Sequence, residues 1–298
     1  MNSYFKKYQN HKIPHTLGSF DDKGIPLFNP ESLKLKGKQS YHPIVIVQYA
    51  LAHYNLWIEN NNKNHKDTFL KCANWLVNNY TYHKEYDLAI YYYYFDLKNP
   101  PVKAPWYSGM AQGQILSLFV RAYYETGDNS YIIVSDKIVN SFKTNLDKNG
   151  CNSYLSGHIF IQEIAQNPKL YILNGALYAI IGLIEYSEIS NKNNLEIDKF
   201  IKGIEGLLPK FDLGFWTKYS LGMRFNLSDV YYQQVHAEQL TYLGEKLDNY
   251  ILLSYGNKFK NQLEKNSKWM KWIHFLSLTI NRGFRFLGFG KFLYKFSN

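Results

Sequence analysis

The sequence predicts an all-α fold, an incomplete (α/α) toroid of about four helical hairpins that follows a short N-terminal irregular or β segment. Two observations lead to this prediction. Apolar residues recur at helical spacing from residue 41 onward, and the helical stretches come in pairs of similar length. Long loops rich in aromatic and polar residues separate the pairs, and loops of this kind in a compact domain usually carry function.

The elements follow in chain order. Glycine and proline punctuate residues 1–40, so we expect irregular chain with short strands there. The predicted helix pairs are 41–56 with 65–79, 108–126 with 130–145, 171–189 with 195–207, and 230–243 with 247–264. The longest loops are 80–107, 146–170 and 208–229. We therefore divide the chain into an N-terminal extension (1–40), a toroid domain (41–265) and a basic aromatic tail (266–298).

Composition limits the partners. The formal net charge is +10, which predicts a polyanion: nucleic acid, an anionic membrane or an acidic glycan. Aromatic residues make up 17% of the chain, and their rings can stack on sugar faces. The cysteines, Cys72 and Cys151, lie far apart without metal-ligand spacing, which suits a reducing compartment. No signal-peptide core and no apolar run of 18 residues occur, so we expect a cytoplasmic protein.

The tail has no acidic residue after Glu264 and alternates lysines and arginines with aromatic residues. This pattern predicts peripheral contact with an anionic membrane surface. The pattern would also suit an anionic polymer, and the plainer alternative is a last helix that docks on the toroid with its lysines in solvent.

Four segments carry more polar detail than packing requires: 41–54, 106–114, 160–175 and 208–240. Glu163 stands between apolar residues in a loop, where burial would raise its pKa and suit it to act as a base, although a lone loop glutamate is more often solvated. Gln112 and Gln114 lie on an apolar helix and either bind a ligand or bond within the core. Tyr232 and His236, four residues apart, share a helix face.

Together these segments resemble the C-terminal catalytic domain of the D-glucuronyl C5-epimerases, which act on heparosan-type polymers. The resemblance covers about residues 41–265 and rests on five motifs in the same order. They read YHPIVIVQYALAHY (41–54), WYSGMAQGQ (106–114), LNG after an acidic loop (173–175), LPKFDLGFWTKY (208–219) and YQQVHAEQL (232–240).

The resemblance implies catalytic roles for Glu163, Tyr219 and Tyr232. The residues that we expect to contact the sugar are Tyr49, His53, Trp106, Gln112, Gln114, Asn174, Lys218, Arg224 and His236. Lys218 and Arg224 would hold the uronate carboxylate, and His236 would orient Tyr232. Ile164 stands where the family has a tyrosine, which removes one hydroxyl from the expected site.

The implied substrate is an anionic capsule-type polysaccharide, with no nucleic acid, no cofactor and no metal. Larger family members carry N-terminal β domains, whereas about 40 residues precede the toroid here. We therefore expect an open cleft or one completed by a second subunit in a homodimer. Three alternatives remain: a polysaccharide lyase, a glycoside hydrolase that uses Glu163 with Asp212, and a non-catalytic glycan- or membrane-binding module. Asp212 also fits a turn-forming role.

Overall fold

The computed structural model describes residues 4–5, 17–30, 40–98, 100–190, 196–223 and 226–286, with side chains as far as residue 270. The chain divides into two compact units. The first comprises residues 1–168 and 175–204, and the second comprises residues 169–174 and 205–298.

The first unit contains two hairpins of packed helices, α1 (Pro43–Asn60) with α2 (Lys63–Asn78) and α3 (Gly109–Thr126) with α4 (Ser130–Lys143). Their turns use residues that tolerate left-handed backbone, Asn61 at φ 53° and Gly127 at φ 69°. Ser108 caps α3 as predicted, because its side chain accepts a hydrogen bond from the Ala111 amide at 3.3 Å.

Short antiparallel strand pairs occupy the segments around these helices. They are β1 (Leu17–Phe20) with β2 (Pro26–Phe28), β3 (Thr81–His83) with β4 (Leu88–Ile90), β5 (Tyr92–Tyr93) with β8 (Trp106–Tyr107), β6 (Leu97–Lys98) with β7 (Pro101–Val102), and β9 (Asn152–Leu155) with β10 (His158–Ile161). The long loops 80–107 and 146–170 are thus folded into hairpins that hold their aromatic side chains in place.

Helix α5 (Leu173–Ser187) is buried along nearly its whole length, and from Gly175 onward it belongs to the first unit. Its sequence carries one charged residue, Glu185, which forms a buried ion pair with Arg121 of α3 at 2.8 Å. A β-carbon on Gly182 would meet the Gly113 backbone at 2.6 Å, so α3 and α5 approach closely through glycines. Helix α6 (Ile197–Phe211) begins in this unit.

The second unit contains the end of α6, the antiparallel pair β11 (Tyr171–Ile172) and β12 (Ser220–Leu221), and the packed helices α7 (Val230–Lys246) and α8 (Tyr250–Phe286). Asp229 caps α7 through the Tyr232 amide at 2.8 Å. The Asn249 side chain does the same at the start of α8, where it accepts from the Leu252 amide at 3.0 Å.

The predicted helical toroid class is confirmed, because helices lie over all eight predicted stretches, and the first, second and fourth predicted pairs pack as hairpins. Helix α8 runs past residue 265 to Phe286, so the start of the predicted tail is helical, while residues 287–298 lie outside the described part. The division into extension, toroid and tail, and the membrane contact of the tail, stay predictions. No helix in the described ranges combines the length and hydropathy needed to span a bilayer.

Candidate active site

Glu163 lies in the loop that follows β10, and hydrogen bonds on both sides fix this loop. The amide of Gly109 donates to the carbonyl of Gln162 at 3.1 Å, and the amide of Ala165 donates to the carbonyl of Tyr107 at 3.2 Å. Both partners belong to the segment that enters α3. The backbone on either side of Glu163 is therefore held against the first turn of that helix.

The carboxyl group of Glu163 lies against the first turn of α5. Its Oε2 atom is buried and has no hydrogen-bond partner among the described residues. A β-carbon built on Gly175 would lie 2.6 Å from the β-carbon of Glu163 and closer still to Oε2, so only glycine fits there. Burial raises the pKa of Glu163 from 4.5 to about 7. Near neutral pH this carboxyl can both accept and donate a proton.

Tyr93 and Trp106 form a stacked pair in the same unit. Their ring centroids are 4.0 Å apart at 6°, and the Trp106 indole donates to the carbonyl of Phe95 at 2.8 Å. Burial, the main cause, raises the pKa of Tyr93 well above its usual range, and the negative charge of Glu163 acts in the same direction. Trp106 is one of the predicted sugar-contacting residues, and that role stays a prediction. Tyr93 was not predicted, because nothing in the sequence separates it from the other 26 tyrosines.

Gln112 and Gln114 are fully buried on α3. The Gln112 amide donates to the carbonyl of Ala89 at 2.6 Å and contacts the Ser141 hydroxyl at 3.4 Å, which is hydrogen bonding in the core. The Gln114 amide has no hydrogen-bond partner in the described part of the chain. The hydrogen bonds of Gln112 favour a role in the core over ligand binding for that residue, and substrate contact stays a prediction for Gln112 and Gln114.

Tyr49 and His53 lie further along α1, with ring centroids 4.4 Å apart. The Nδ1 atom of His53 is 2.9 Å from Nδ1 of His65, and burial first, then the charge of His65, lowers the pKa of His53 to about 4. His42, at the start of α1, contacts Tyr93 at 4.7 Å between centroids. Because a helix rises 1.5 Å per residue, His53 lies about 16 Å from that end. His53 therefore lies away from the end of α1 that contacts Tyr93, and sugar contact by Tyr49 and His53 stays a prediction.

In the second unit, the structure brings Tyr219 and Tyr232 together. Their ring centroids are 4.7 Å apart at 60°, an edge-to-face contact. Tyr219 is held by its backbone, since its amide donates to the carbonyl of Asn226 at 2.7 Å and its carbonyl accepts from Leu173 at 3.2 Å. Tyr232 stands on the first turn of α7 behind the Asp229 cap. Two of the three predicted catalytic side chains thus form one contact.

A buried hydrogen-bond network behind these tyrosines fixes the segment that leads to Tyr219. The Thr217 hydroxyl lies 2.6 Å from both Gln233 Oε1 and Ser228 Oγ, and the Thr217 amide also donates to Gln233 Oε1 at 3.0 Å. The Gln233 amide donates in turn to the carbonyl of Phe259 at 3.1 Å. This network ties the loop to α7 and α8. Sequence reasoning did not find Thr217 or Gln233, because their pairing is a long-range contact.

His236 joins this network at its edge. Its Nδ1 atom is 3.1 Å from Thr217 Oγ1, and since that hydroxyl donates to Gln233, we assign the Nδ1 proton as the donor to Thr217. Burial lowers the pKa of His236 to about 3, so the ring is neutral at physiological pH. The Nε2 atom is then a buried acceptor, and it has no partner among the described residues. The bond that the structure gives to His236 is to Thr217, two residues before Tyr219.

The remaining predicted residues occupy different positions. Asn174 is buried, and its carbonyl accepts from the Gln239 side chain at 3.2 Å. Lys218 is half-buried, and its backbone amide donates to the carbonyl of Phe211 at 2.8 Å. Arg224 lies outside the described residues. In the described ranges no group of three or more His, Cys, Asp or Glu could hold a metal ion.

The carboxylate of Asp212 forms hydrogen bonds and an ion pair within the protein. One oxygen accepts from the Gly214 amide at 2.8 Å, the bond of an Asx turn, and from the Gln262 side chain at 2.9 Å. Its other oxygen pairs with Lys258. These bonds favour the turn-forming role of Asp212.

The comparisons with known proteins agree with the family resemblance, and the family match covers the four motifs after residue 82. The family described as "D-glucuronyl C5-epimerase C-terminus" matches residues 82–261. A D-glucuronyl C5-epimerase of Caenorhabditis elegans is 27% identical in an alignment of 231 residues, and the match covers 66% of this chain and 36% of the relative. An uncharacterised protein of Methanocaldococcus jannaschii is 27% identical in an alignment of 185 residues, and the match covers 59% of this chain and 59% of that protein. The chain thus spans less than two thirds of the length of each of these relatives.

Among solved structures, an unsaturated glucuronyl hydrolase of Bacillus sp. GL1 aligns with a TM-score of 0.52 at 14% identity. The alignment covers 74% of this chain and 61% of the hydrolase. At that identity the likeness concerns the fold alone, and it confirms the predicted helical toroid class. The family match covers more than half of the sequence, so the chain belongs to the D-glucuronyl C5-epimerase C-terminus family.

Proposed function

We propose that the chain is a polysaccharide C5-epimerase that converts D-glucuronate to L-iduronate residues in an anionic glycan. The observation that carries the proposal, beside family membership, is the buried carboxyl of Glu163 with a pKa of about 7. Removal of a proton next to a carboxylate at neutral pH needs a base with a pKa in this range.

The reaction breaks the C5–H bond and leaves its electron pair delocalised into the uronate carboxylate as an enediolate. A proton then returns to C5 on the opposite ring face, so no oxidant, reductant or leaving group is involved. This chemistry needs two acid–base groups and donors for the developing charge. The proposal assigns the acid–base roles to Glu163 and Tyr232 and the donor role to Tyr219. Lys218 and Arg224 would bind the carboxylate.

The edge-to-face contact of Tyr219 and Tyr232 supports this assignment, because it places the two hydroxyl-bearing rings next to each other. The Thr217 network supports it too, since it fixes the loop that carries Tyr219. A lyase would share the carbanion but expel the C4 oxygen. A hydrolase would need a second free carboxylate, and Asp212 already bonds to Lys258, Gly214 and Gln262.

The test is NMR of heparosan incubated with the protein in deuterated water. The proposal predicts deuterium at C5 together with new iduronate signals. Tyr232→Phe should abolish the exchange while the protein stays folded by circular dichroism. Tyr231→Phe is the matched control, because Tyr231 is the exposed neighbour on the same helical turn and should leave the exchange intact. An unsaturated uronate product that absorbs in the near ultraviolet would establish a lyase instead. Binding without exchange would indicate a non-catalytic module.

A further inference from the structure

A groove of about 580 Å³ runs along the exposed face of α8 in the second unit. None of the residues predicted for the catalytic site lines it. Its volume falls in the range of ligand-binding clefts. Its lining from Tyr250 to Asn266 extends over seventeen residues of one helix, which is about 24 Å at a rise of 1.5 Å per residue. An elongated groove of this length suits an extended chain better than a compact small molecule.

The lining is rich in side-chain amides. Asn257, Asn261 and Lys265 recur every four residues, so they form one stripe on the helix. All three are exposed, and in the described part of the chain their side chains make no hydrogen bond or ion pair. An amide both donates and accepts hydrogen bonds, as a sugar hydroxyl does, whereas a phosphate diester only accepts. The stripe is therefore better matched to a glycan than to a nucleic acid.

The floor and one wall of the groove are held rigidly. Gln262 is 5% exposed, and it donates to Asp212 at 2.9 Å. Asn266 donates to the carbonyl of Phe215 at 3.0 Å. These bonds fix the 212–215 turn against α8. The groove therefore has a preorganised wall, which lowers the entropy cost of binding.

The groove is lined by few charged side chains, and those are lysines. Lys258 is paired with Asp212, which leaves Lys265 as the cation of the lining without an ion pair among the described residues. Glu264, the one acidic residue in 250–270, does not line the groove. A polymer with one carboxylate in each repeating unit has widely spaced charges, and a few separated cations match them. A nucleic acid carries a phosphate at every nucleotide and binds through dense lysine and arginine clusters.

Two exposed aromatic residues are close in sequence to lining residues: Phe215 follows Gly214, and Trp269 comes three residues after Asn266. Phe215 and Trp269 are 42% and 56% exposed, and their ring centroids lie 6.1 Å apart at 65°. Exposed ring faces beside amides can stack on the C–H faces of sugars. We propose that the α8 groove is a second, non-catalytic binding surface for the acidic polysaccharide, holding a part of the chain away from the reacting uronate. This inference rests on the proposed function for the identity of the polymer.

The test uses the full chain and the double variant Asn261→Asp with Lys265→Glu, which reverses the charge of the stripe at exposed positions. The matched control is Lys260→Glu, an exposed lysine of the same helix that does not line the groove. We measure the affinity for fluorescein-labelled heparosan polymer and C5 deuterium exchange on polymer and on a tetrasaccharide. The double variant should weaken polymer binding by at least about tenfold and raise KM on polymer. Exchange on the tetrasaccharide should stay at the wild-type rate.

Equal losses in Lys260→Glu and in the double variant would overturn the proposal, since they would indicate nonspecific charge attraction. Unchanged polymer affinity in the double variant would overturn it as well, and so would competition by single-stranded DNA at the same charge concentration. The experiment distinguishes a failure of the proposed function from a failure of the proposed binding surface. Wild-type protein that binds heparosan through the stripe but catalyses no exchange would overturn the proposed function and leave the binding surface standing.

Discussion

Replacing Glu163 by glutamine should make the protein more stable at alkaline pH while it removes catalysis. The folded protein raises the pKa of this carboxyl from 4.5 to about 7, because burial disfavours the charged form. In acid the carboxyl is protonated in both the folded and the unfolded state, and its pKa shift then has no effect on stability. As the pH rises from about 4.5 to about 7, the unfolded chain loses its proton first, so the free energy of unfolding decreases.

The size of the effect follows from the shift. A difference of 2.5 pKa units at 1.36 kcal/mol each corresponds to about 3 kcal/mol once both states are ionised. Glu163→Gln keeps the shape of the side chain but cannot ionise, so the variant lacks this loss. Any other difference in stability between the neutral carboxyl and the amide is the same at every pH, so it does not affect the predicted pH dependence. Buried histidines such as His236 titrate equally in both proteins and cancel in the comparison.

The assay is urea unfolding of wild type and Glu163→Gln across a pH series from about 4 to about 8.5, followed by tryptophan fluorescence. The difference in unfolding free energy should move in favour of the variant by about 3 kcal/mol over the series. Activity of the wild type should rise over the same pH window as Glu163 ionises. Stability curves that run parallel at every pH would refute the burial argument, because they would mean that Glu163 has an ordinary pKa in the folded protein.

Three further predictions concern buried groups. Gly175→Ala should reduce turnover by about a hundredfold, because its β-carbon displaces Glu163. Gly182→Ala, an equally crowded change on α5, should lower the melting temperature similarly but keep turnover per folded molecule, and equal turnover in both variants would contradict the positioning role. Thr217→Val removes a hydroxyl that is hydrogen-bonded to three buried groups, and it should lower the free energy of unfolding by about 1–3 kcal/mol. It should change kcat by a larger factor than KM, and an unchanged kcat would show that the network does not contribute to catalysis. Arg121→Met leaves the buried Glu185 carboxylate without its cation and should cost about 3–5 kcal/mol in urea unfolding, and a cost below about 1 kcal/mol would show that water reaches the pair.

Much of the candidate site could be located from the sequence because its motifs are local. Tyr232 and His236 are one turn apart on a helix, so their shared face follows from spacing. Glu163 stood out as a carboxylate between apolar residues. Arg224 was predicted because it lies near Tyr219 in the sequence, and it lies outside the described residues. The partners of polar side chains on a buried helix could not be predicted in this way, because they depend on the neighbouring elements in the fold. Gln112 faces Ala89 and Ser141, which spacing could not predict.

The sequence by itself determined the helix pairs, their turns and the family, because periodicity, capping residues and motif order are properties of neighbouring positions. Only the tertiary structure decided the chemistry of Glu163. Its pKa depends on how completely residues distant in sequence exclude water from one carboxyl, and Gly175, twelve positions away, makes room for that carboxyl. The same holds for Thr217, whose hydroxyl meets Ser228, Gln233 and His236 only once the loop has folded onto α7. Burial and buried hydrogen bonds are through-space quantities, so they exist only in the folded chain.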